Sequence, residues 1–199
     1  MERLYVEEGT RMKTILFVCT VNRYRSPIAH FFLKNMLAEM DMALFKEIEV
    51  SSAGIILKKK LEEMRKEGIE VPEPLWGYRP YPCLIFHMAR RGIDISQHKS
   101  RLLDSKMANK ANLLIAMTNN HKDAILAAFP YLKEKVITLP GFDDSEIFEV
   151  AKEPPGLMPS SDFCMHDCDT WWLTEKGISH IEELVKKVID DILLRIKNV

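Results

Sequence analysis

A cysteine and an arginine frame the stretch Cys19-Thr-Val-Asn-Arg-Tyr-Arg-Ser-Pro27, whose residue types suit covalent chemistry on an anion. The thiolate is the nucleophilic form of cysteine, and nearby positive charge or a helix N-terminus favours it. Arg25 can grip two oxygens of a phosphate through a bidentate fork. Ser26 can donate a hydrogen bond to the Cys19 sulfur and stabilise it as a leaving group. The backbone from Thr20 through Val21, Asn22, Arg23 and Tyr24 to Arg25 and Ser26 would then be the phosphate cradle. A cysteine that ends a buried strand is often plain core, and a bare Cys-x5-Arg arises by accident. Placement favours chemistry here, with an apolar strand before the stretch and Ser-Pro plus an amphipathic helix after it.

The surrounding pattern supplies that scaffold. Thr14-Ile-Leu-Phe-Val-Cys19 is nearly continuous apolar sequence, as in a strand buried on both faces. Pro27 sits where a first helical turn tolerates proline, and Ile28, Phe31, Phe32, Met36 and Met40 follow at helical spacing. A loop entering a helix from a strand presents free N–H groups and roughly half a positive charge to an anion. Further on, Glu47–Ser52 reads as a second strand and Ile56–Glu67 as a helix whose lysines and glutamates make a solvated face. Residues 70–82 form a proline-rich loop, and Leu84–Arg91 reads as a helix. Asn112–Met117 is a third strand, Asn119–Phe129 a helix, and Lys135–Thr138 a fourth strand. Residues 140–170 lack clear period, and a long amphipathic helix runs from about Leu173, with Gly177 a local weakness near its start. Strands alternating with helices predict one α/β domain with a parallel sheet.

With 28 Lys+Arg against 29 Asp+Glu, the 199-residue chain gives no reason to expect nucleic-acid or membrane partners. No apolar run approaches the roughly 18 residues of a membrane span. The four cysteines, Cys19, Cys83, Cys164 and Cys168, are too few and scattered for a disulfide framework. Together with the lack of a signal-like N-terminus, this predicts a cytoplasmic protein. Residues 1–11 read as an N-terminal extension and 12–199 as the domain. Cys164-Met-His-Asp-Cys168 invites a zinc reading, but a structural site normally takes four ligands, so no metal and no cofactor is expected.

Val18-Cys-Thr-Val-Asn-Arg-Tyr-Arg-Ser-Pro27 resembles the signature loop of the low-molecular-weight protein tyrosine phosphatases. The likeness continues through Ser51-Ser-Ala-Gly54, Arg91-Gly-Ile-Asp-Ile-Ser-Gln-His98 with Ser100-Arg101, Ala111-Asn-Leu-Leu-Ile-Ala-Met117 and the final helix. It implies a three-layer, flavodoxin-like domain with a four-stranded parallel sheet, and phosphomonoester hydrolysis through a phosphocysteine. Substrates would be phosphorylated proteins or small aryl phosphates, with phosphate, sulfate or vanadate as ligands. By position, Cys19 is the nucleophile and Arg25 the clamp, while Asn22, Ser26, Ser52 and His98 support the loop. The family takes its general acid from a loop before the last helix, where this chain offers Asp162, Asp167 and Asp169, with Asp143 and Asp144 farther back. Asp169 is the expected acid, since Thr170 and the paired rings Trp171 and Trp172, expected to stack on substrate, follow it.

Departures from the family pattern are specific. Val21 replaces a loop glycine, Arg23 stands where a small or apolar residue helps set substrate choice, and Tyr24 takes the place of a second cysteine. Segments 56–82 and 140–168 look longer than usual. Thr20 and Leu114-Ile-Ala-Met-Thr-Asn-Asn-His-Lys122 resemble bacterial members that act on phosphoarginine, which makes a protein arginine phosphatase the main alternative. Arsenate reductase on the same fold and a non-catalytic phosphoprotein-binding module are further alternatives. The first needs cysteines after the third strand, where Met117-Thr-Asn-Asn-His121 has none.

Overall fold

The computed structural model describes residues 12–56, 62, 66, 76–141 and 168–198, and for 44 and 168–174 the description covers backbone alone. Strand β1 (Lys13–Cys19) leads into helix α1 (Arg25–Met40), α2 (Met42–Glu47) and β2 (Ile48–Gly54). After α3 (Pro82–Arg90) and α4 (Ser105–Lys110) come β3 (Leu113–Ala116), α5 (Asn119–Ala128), a 3-10 turn (Pro130–Lys135) and β4 (Val136–Thr138). Helix α6 (Cys168–Lys197) closes the chain. The strands form one sheet in the order β2-β1-β3-β4, with every neighbouring pair parallel.

The period-2 geometry of a strand sends alternate side chains of β1 into two different cores. Ile15, Phe17 and Cys19 enter one core with Leu113 and Ile115, covered by Ile28, Phe32, Leu33 and Leu37 of α1 and by α6. Leu16 and Val18 enter the other with Leu114 and Ala116, covered by Ala108 of α4 and Ile125 of α5. This burial on both faces explains the unbroken apolar run of β1. On α6, Ile178, Ile181, Leu184, Val185, Ile189, Ile192, Leu193 and Ile196 are buried at helical spacing, one stripe against the sheet.

The chain leaves β1 toward β2 on one side and returns to β3 on the other, so β1 and β3 flank the topological switch point. Ligands of open parallel sheets bind there, beyond the carboxyl ends of the strands. Cys19 is the last residue of β1.

The sequence reading did not anticipate α2 and α4, most other boundaries agree within one residue, and three differences bear on the site. β2 continues through Ala53 and Gly54, because these small residues pair with Val18 and Cys19 rather than turning. A Cβ on Gly54, the last residue of β2, would stand 2.6 Å from the Thr20 carbonyl oxygen and 2.8 Å from the Trp76 ring, so the glycine admits the loop backbone. α3 begins at Pro82, which places Cys83 inside the helix rather than before it. α6 begins at Cys168 rather than near Leu173, so Asp169, Trp171 and Trp172 lie in helix, not in a loop. Aspartate in a first turn faces the positive end of the helix dipole, and the apolar register alone hides that start. Of the helix expected over Ile56–Glu67, Ile56, Glu62 and Lys66 are described; Glu62 and Lys66 are helical and Ile56 is not. Residues 1–11, nearly all of 142–168 and the remainder of the 57–75 stretch lie outside the described residues, Cys164 among them.

Candidate active site

The loop Thr20–Tyr24 joins the carboxyl end of β1 to the start of α1. The N-cap residue Tyr24 makes no side-chain capping bond, and the first turn of α1 carries no acidic residue. The first N–H groups of this helix are therefore not claimed by a carboxylate of its own first turn, a state that suits an anion. Arg25 opens the helix and Ser26 follows it into the core, fully buried.

Asn22 organises the loop. It is buried and has φ +55°, a left-handed conformation that asparagine tolerates better than most residues. It is the one non-glycine residue with positive φ among those described, so Val21 in place of a glycine imposes no such strain. The Asn22 amide nitrogen donates to Ser26 Oγ at 2.9 Å and to Ser52 Oγ at 3.0 Å. Its Oδ1 accepts the backbone N–H of Arg101 at 3.1 Å, and its carbonyl accepts from His98 Nε2 at 3.0 Å. Every polar group of a buried side chain is thus paired, which rigidifies the turn.

Ser26 Oγ stands 3.0 Å from Cys19 Sγ and 3.3 Å from the Ala53 carbonyl. It accepts from Asn22, so its single proton has two acceptors, the Ala53 carbonyl and the nearer Cys19 sulfur. Cys19 is 2% exposed, and its carbonyl is fixed by the Ile55 N–H at 2.8 Å. Ser52 carries the support outward, with its Oγ 3.3 Å from His30 Nδ1 and its carbonyl accepting from Arg101 Nε at 2.9 Å. Burial first, then the charges of His98, Lys34 and Arg101, push the His30 imidazole down to about 3. His98 is also lowered, chiefly by burial, while its bond to Asn22 acts the other way.

Arg23 is a tethered cation. Its guanidinium lies 4.2 Å from the Tyr81 ring centroid and 5.3 Å from that of Tyr78, and Nε donates to the Arg79 carbonyl at 3.0 Å. The 78–81 segment is in turn laced to residue 100, through Ser100 N–H to the Tyr78 carbonyl at 2.8 Å and Tyr78 N–H to Ser100 Oγ at 3.1 Å. Tyr24 is mostly buried against Gly177 of α6, and desolvation, followed by Cys83, raises its phenol well above the usual range. Glu175 accepts from Arg91 and lies 2.7 Å from His87 Nδ1, joining α6 to α3.

The structure brings Cys19, Asn22, Ser26, Ser52 and His98 into one hydrogen-bonded cluster, and bonds Arg25 to Thr20, the residue after Cys19. Asp169, Trp171 and Trp172 fall at the start of α6, where side chains are outside the description. Sequence reading missed His30, His121, Thr118, Tyr78, Tyr81 and Arg101 as neighbours of the loop. Thr118 three residues before His121, at the head of an expected helix, was the available cap signal.

The profile described as low molecular weight phosphotyrosine protein phosphatase matches residues 14–155. A probable low molecular weight protein-tyrosine-phosphatase, EpsP, of Ralstonia solanacearum is 31% identical over 136 residues, 68% of this chain and 77% of the relative. A protein-arginine-phosphatase of Geobacillus stearothermophilus is 31% identical over 128 residues, 64% of this chain and 70% of that one. The crystal structure of a low molecular weight protein tyrosine phosphatase from T. tengcongensis superposes with a TM-score of 0.60 at 24% identity, covering 90% of this chain and 99% of the other. The sheet order, the strand-to-helix loop with its buried asparagine, and a match across most of the chain lead to one assignment: this protein belongs to the low molecular weight phosphotyrosine protein phosphatase family.

Proposed function

We propose that this chain hydrolyses aryl phosphomonoesters, phosphotyrosine in proteins foremost, through a phosphocysteine. The observation that carries this reading is the Cys19 sulfur 3.0 Å from the Ser26 hydroxyl at the N-terminus of α1, whose first turn carries no acidic residue. In the first step the Cys19 thiolate attacks phosphorus; the S–P bond forms and the P–O bond to the phenol breaks. Arg25 and the loop N–H groups hold the equatorial oxygens. Asp169 gives its proton to the departing phenolate and is left as carboxylate. In the second step that carboxylate takes a proton from water, the hydroxyl attacks phosphorus, and the S–P bond breaks. Ser26 donates to the sulfur as it leaves. The chain's own groups complete both steps.

The test is turnover of para-nitrophenyl phosphate. Cys19→Ser should abolish it while vanadate or phosphate still binds, and Arg25→Ala should lose both turnover and binding because the charge-assisted fork is gone. Substantial hydrolysis by Cys19→Ser would refute the mechanism. A protein arginine phosphatase is the second reading, favoured by the relative from Geobacillus stearothermophilus and by Thr20. The fixed guanidinium of Arg23 opposes it, since a cationic substrate would meet a like charge. Rates on phosphotyrosine and phosphoarginine peptides separate the two. Among the described residues no helix is long and apolar enough to cross a membrane, and the substrate is proposed to be a phosphorylated protein or small aryl phosphate.

A further inference from the structure

Behind the phosphate loop runs a chain of hydrogen bonds that the two chemical steps leave unused. Arg25 Nη2 donates to Thr20 Oγ1 at 3.1 Å. Thr20 Oγ1 lies 2.9 Å from His121 Nε2, and His121 Nδ1 lies 2.6 Å from Thr118 Oγ1. His121 is 1% exposed. Thr118 is the N-cap of α5 and also receives the His121 backbone N–H at 3.4 Å. The far end of the chain is therefore anchored to a helix start, itself placed by the Met117 N–H on the Val18 carbonyl of β1 at 2.9 Å.

An inventory of protons orders these contacts. A guanidinium has donors only, so Thr20 accepts from Arg25 and its own proton is free to point at His121 Nε2. With the Thr20 proton on Nε2, that nitrogen is bare and Nδ1 carries a hydrogen that it donates to Thr118; the opposite tautomer would pair the same atoms with both directions reversed. The ring must be neutral for this. Burial, and secondarily the facing charge of Arg25, hold His121 down to about 3.

We propose that His121 is a positioning residue for the phosphate clamp: through the Thr20 hydroxyl it holds the guanidinium of Arg25 in the orientation that meets bound phosphate. The inference rests on the phosphatase reading of the loop and extends it to a residue about a hundred positions away. A free arginine loses rotamer freedom when it grips an anion. One held by Thr20 has surrendered part of that freedom on folding, so phosphate binding does not bear the loss again.

The experiment compares Thr20→Val, His121→Leu, their double variant and His121→Gln in the full chain, reading kcat/KM for para-nitrophenyl phosphate and inhibition by vanadate. Valine keeps the shape of threonine without the acceptor. Glutamine carries an oxygen that can receive the Thr20 proton, whereas leucine cannot. Thr20→Val and His121→Leu should each weaken vanadate inhibition and kcat/KM by roughly 3–15-fold, the range for one hydrogen bond. The double variant should be no worse than either single change, because the two act in series, and His121→Gln should recover most of the loss. Unchanged vanadate inhibition in Thr20→Val, or additive losses in the double variant, overturns the proposal. Imidazole nitrogen spectra of labelled protein give a reading independent of activity: a neutral ring with hydrogen on Nδ1 is expected, and hydrogen on Nε2 overturns it. Should His121→Leu not fold, Thr20→Val and the spectrum decide. Wild-type protein that neither turns over substrate nor binds vanadate would sink the phosphatase reading, whereas normal wild-type kinetics with unaffected variants would sink this inference alone.

Discussion

His121 and His30 are both held neutral inside the fold, with values pushed from the ordinary 6.5 to about 3 chiefly by burial. Their folded values lie below the unfolded value, so the native state binds fewer protons than the unfolded chain. Stability is then intact above about pH 6.5 and falls as acid charges the unfolded imidazoles that the native state refuses to charge. The loss approaches 1.36 kcal/mol per pH unit for each ring, or about 2 kcal/mol per ring at about pH 5. That figure scarcely depends on how far below 5 the folded value lies, since the native ring is already unprotonated there. Two such rings remove about 4 kcal/mol, a large share of a net stability of about 5–15 kcal/mol.

Urea unfolding at about pH 7.5 and about pH 5 isolates this contribution. His121→Gln should begin less stable than wild type, yet lose about 2 kcal/mol less on acidification, and His30→Gln should behave alike. His98 and His87 are also lowered by burial and titrate in the same direction, so wild-type protein alone does not suffice. Carboxylates interfere little: Glu175 is held below its ordinary 4.5, first by its bond to Arg91, so its contribution is lost only at lower pH. If wild type and both glutamine variants lose stability in parallel between the two conditions, neither imidazole is kept neutral by the fold and the reasoning fails.

Asp169→Asn should lower kcat on phosphotyrosine by about 10²–10⁴-fold, the scale of general-acid help, and much less on an activated aryl phosphate; normal phosphotyrosine turnover by Asp169→Asn, with loss in Asp162→Asn or Asp167→Asn, reassigns the acid. Arg23→Ile should reduce the preference for phosphopeptides with acidic flanks, and the wild-type preference should weaken with salt; an unchanged ranking of kcat/KM shows that the stacked cation does not reach substrate. Gly177→Ala should destabilise by about 1–3 kcal/mol through overpacking, because its Cβ would stand 2.5 Å from the Tyr24 hydroxyl. In a Tyr24→Phe background the nearest ring carbon is 3.5 Å away, and the same substitution should become neutral or gain up to about 1 kcal/mol from helix propensity, as thermal unfolding of the four proteins would show.

What was legible in the sequence is what lies close together along it. Cys19, Asn22, Arg25 and Ser26 sit within one turn of chain, and the burial of β1 on both faces is written in its unbroken apolar run. The contacts that fix those residues bridge long separations: Ser52 and Arg101 on Asn22, Tyr78 and Tyr81 on Arg23, His121 on Thr20. No local spacing announces such pairs. Where a local sign did exist, it pointed to the wrong cause. Gly177 reads as a flaw in a helix, yet the side chain it lacks is the room that Tyr24 occupies. Tyr24 itself reads as the absence of a second cysteine, yet its ring packs into the core that joins α1 to α6. The two oddities form one contact, and each residue type follows from the other. The same logic applies to Gly54 and Thr20, where a strand residue lacks a side chain because the carbonyl of the loop after β1 needs the space. Substitutions that look permissive in isolation are therefore constrained as pairs, which is why Gly177→Ala must be read against Tyr24 before it says anything about the helix.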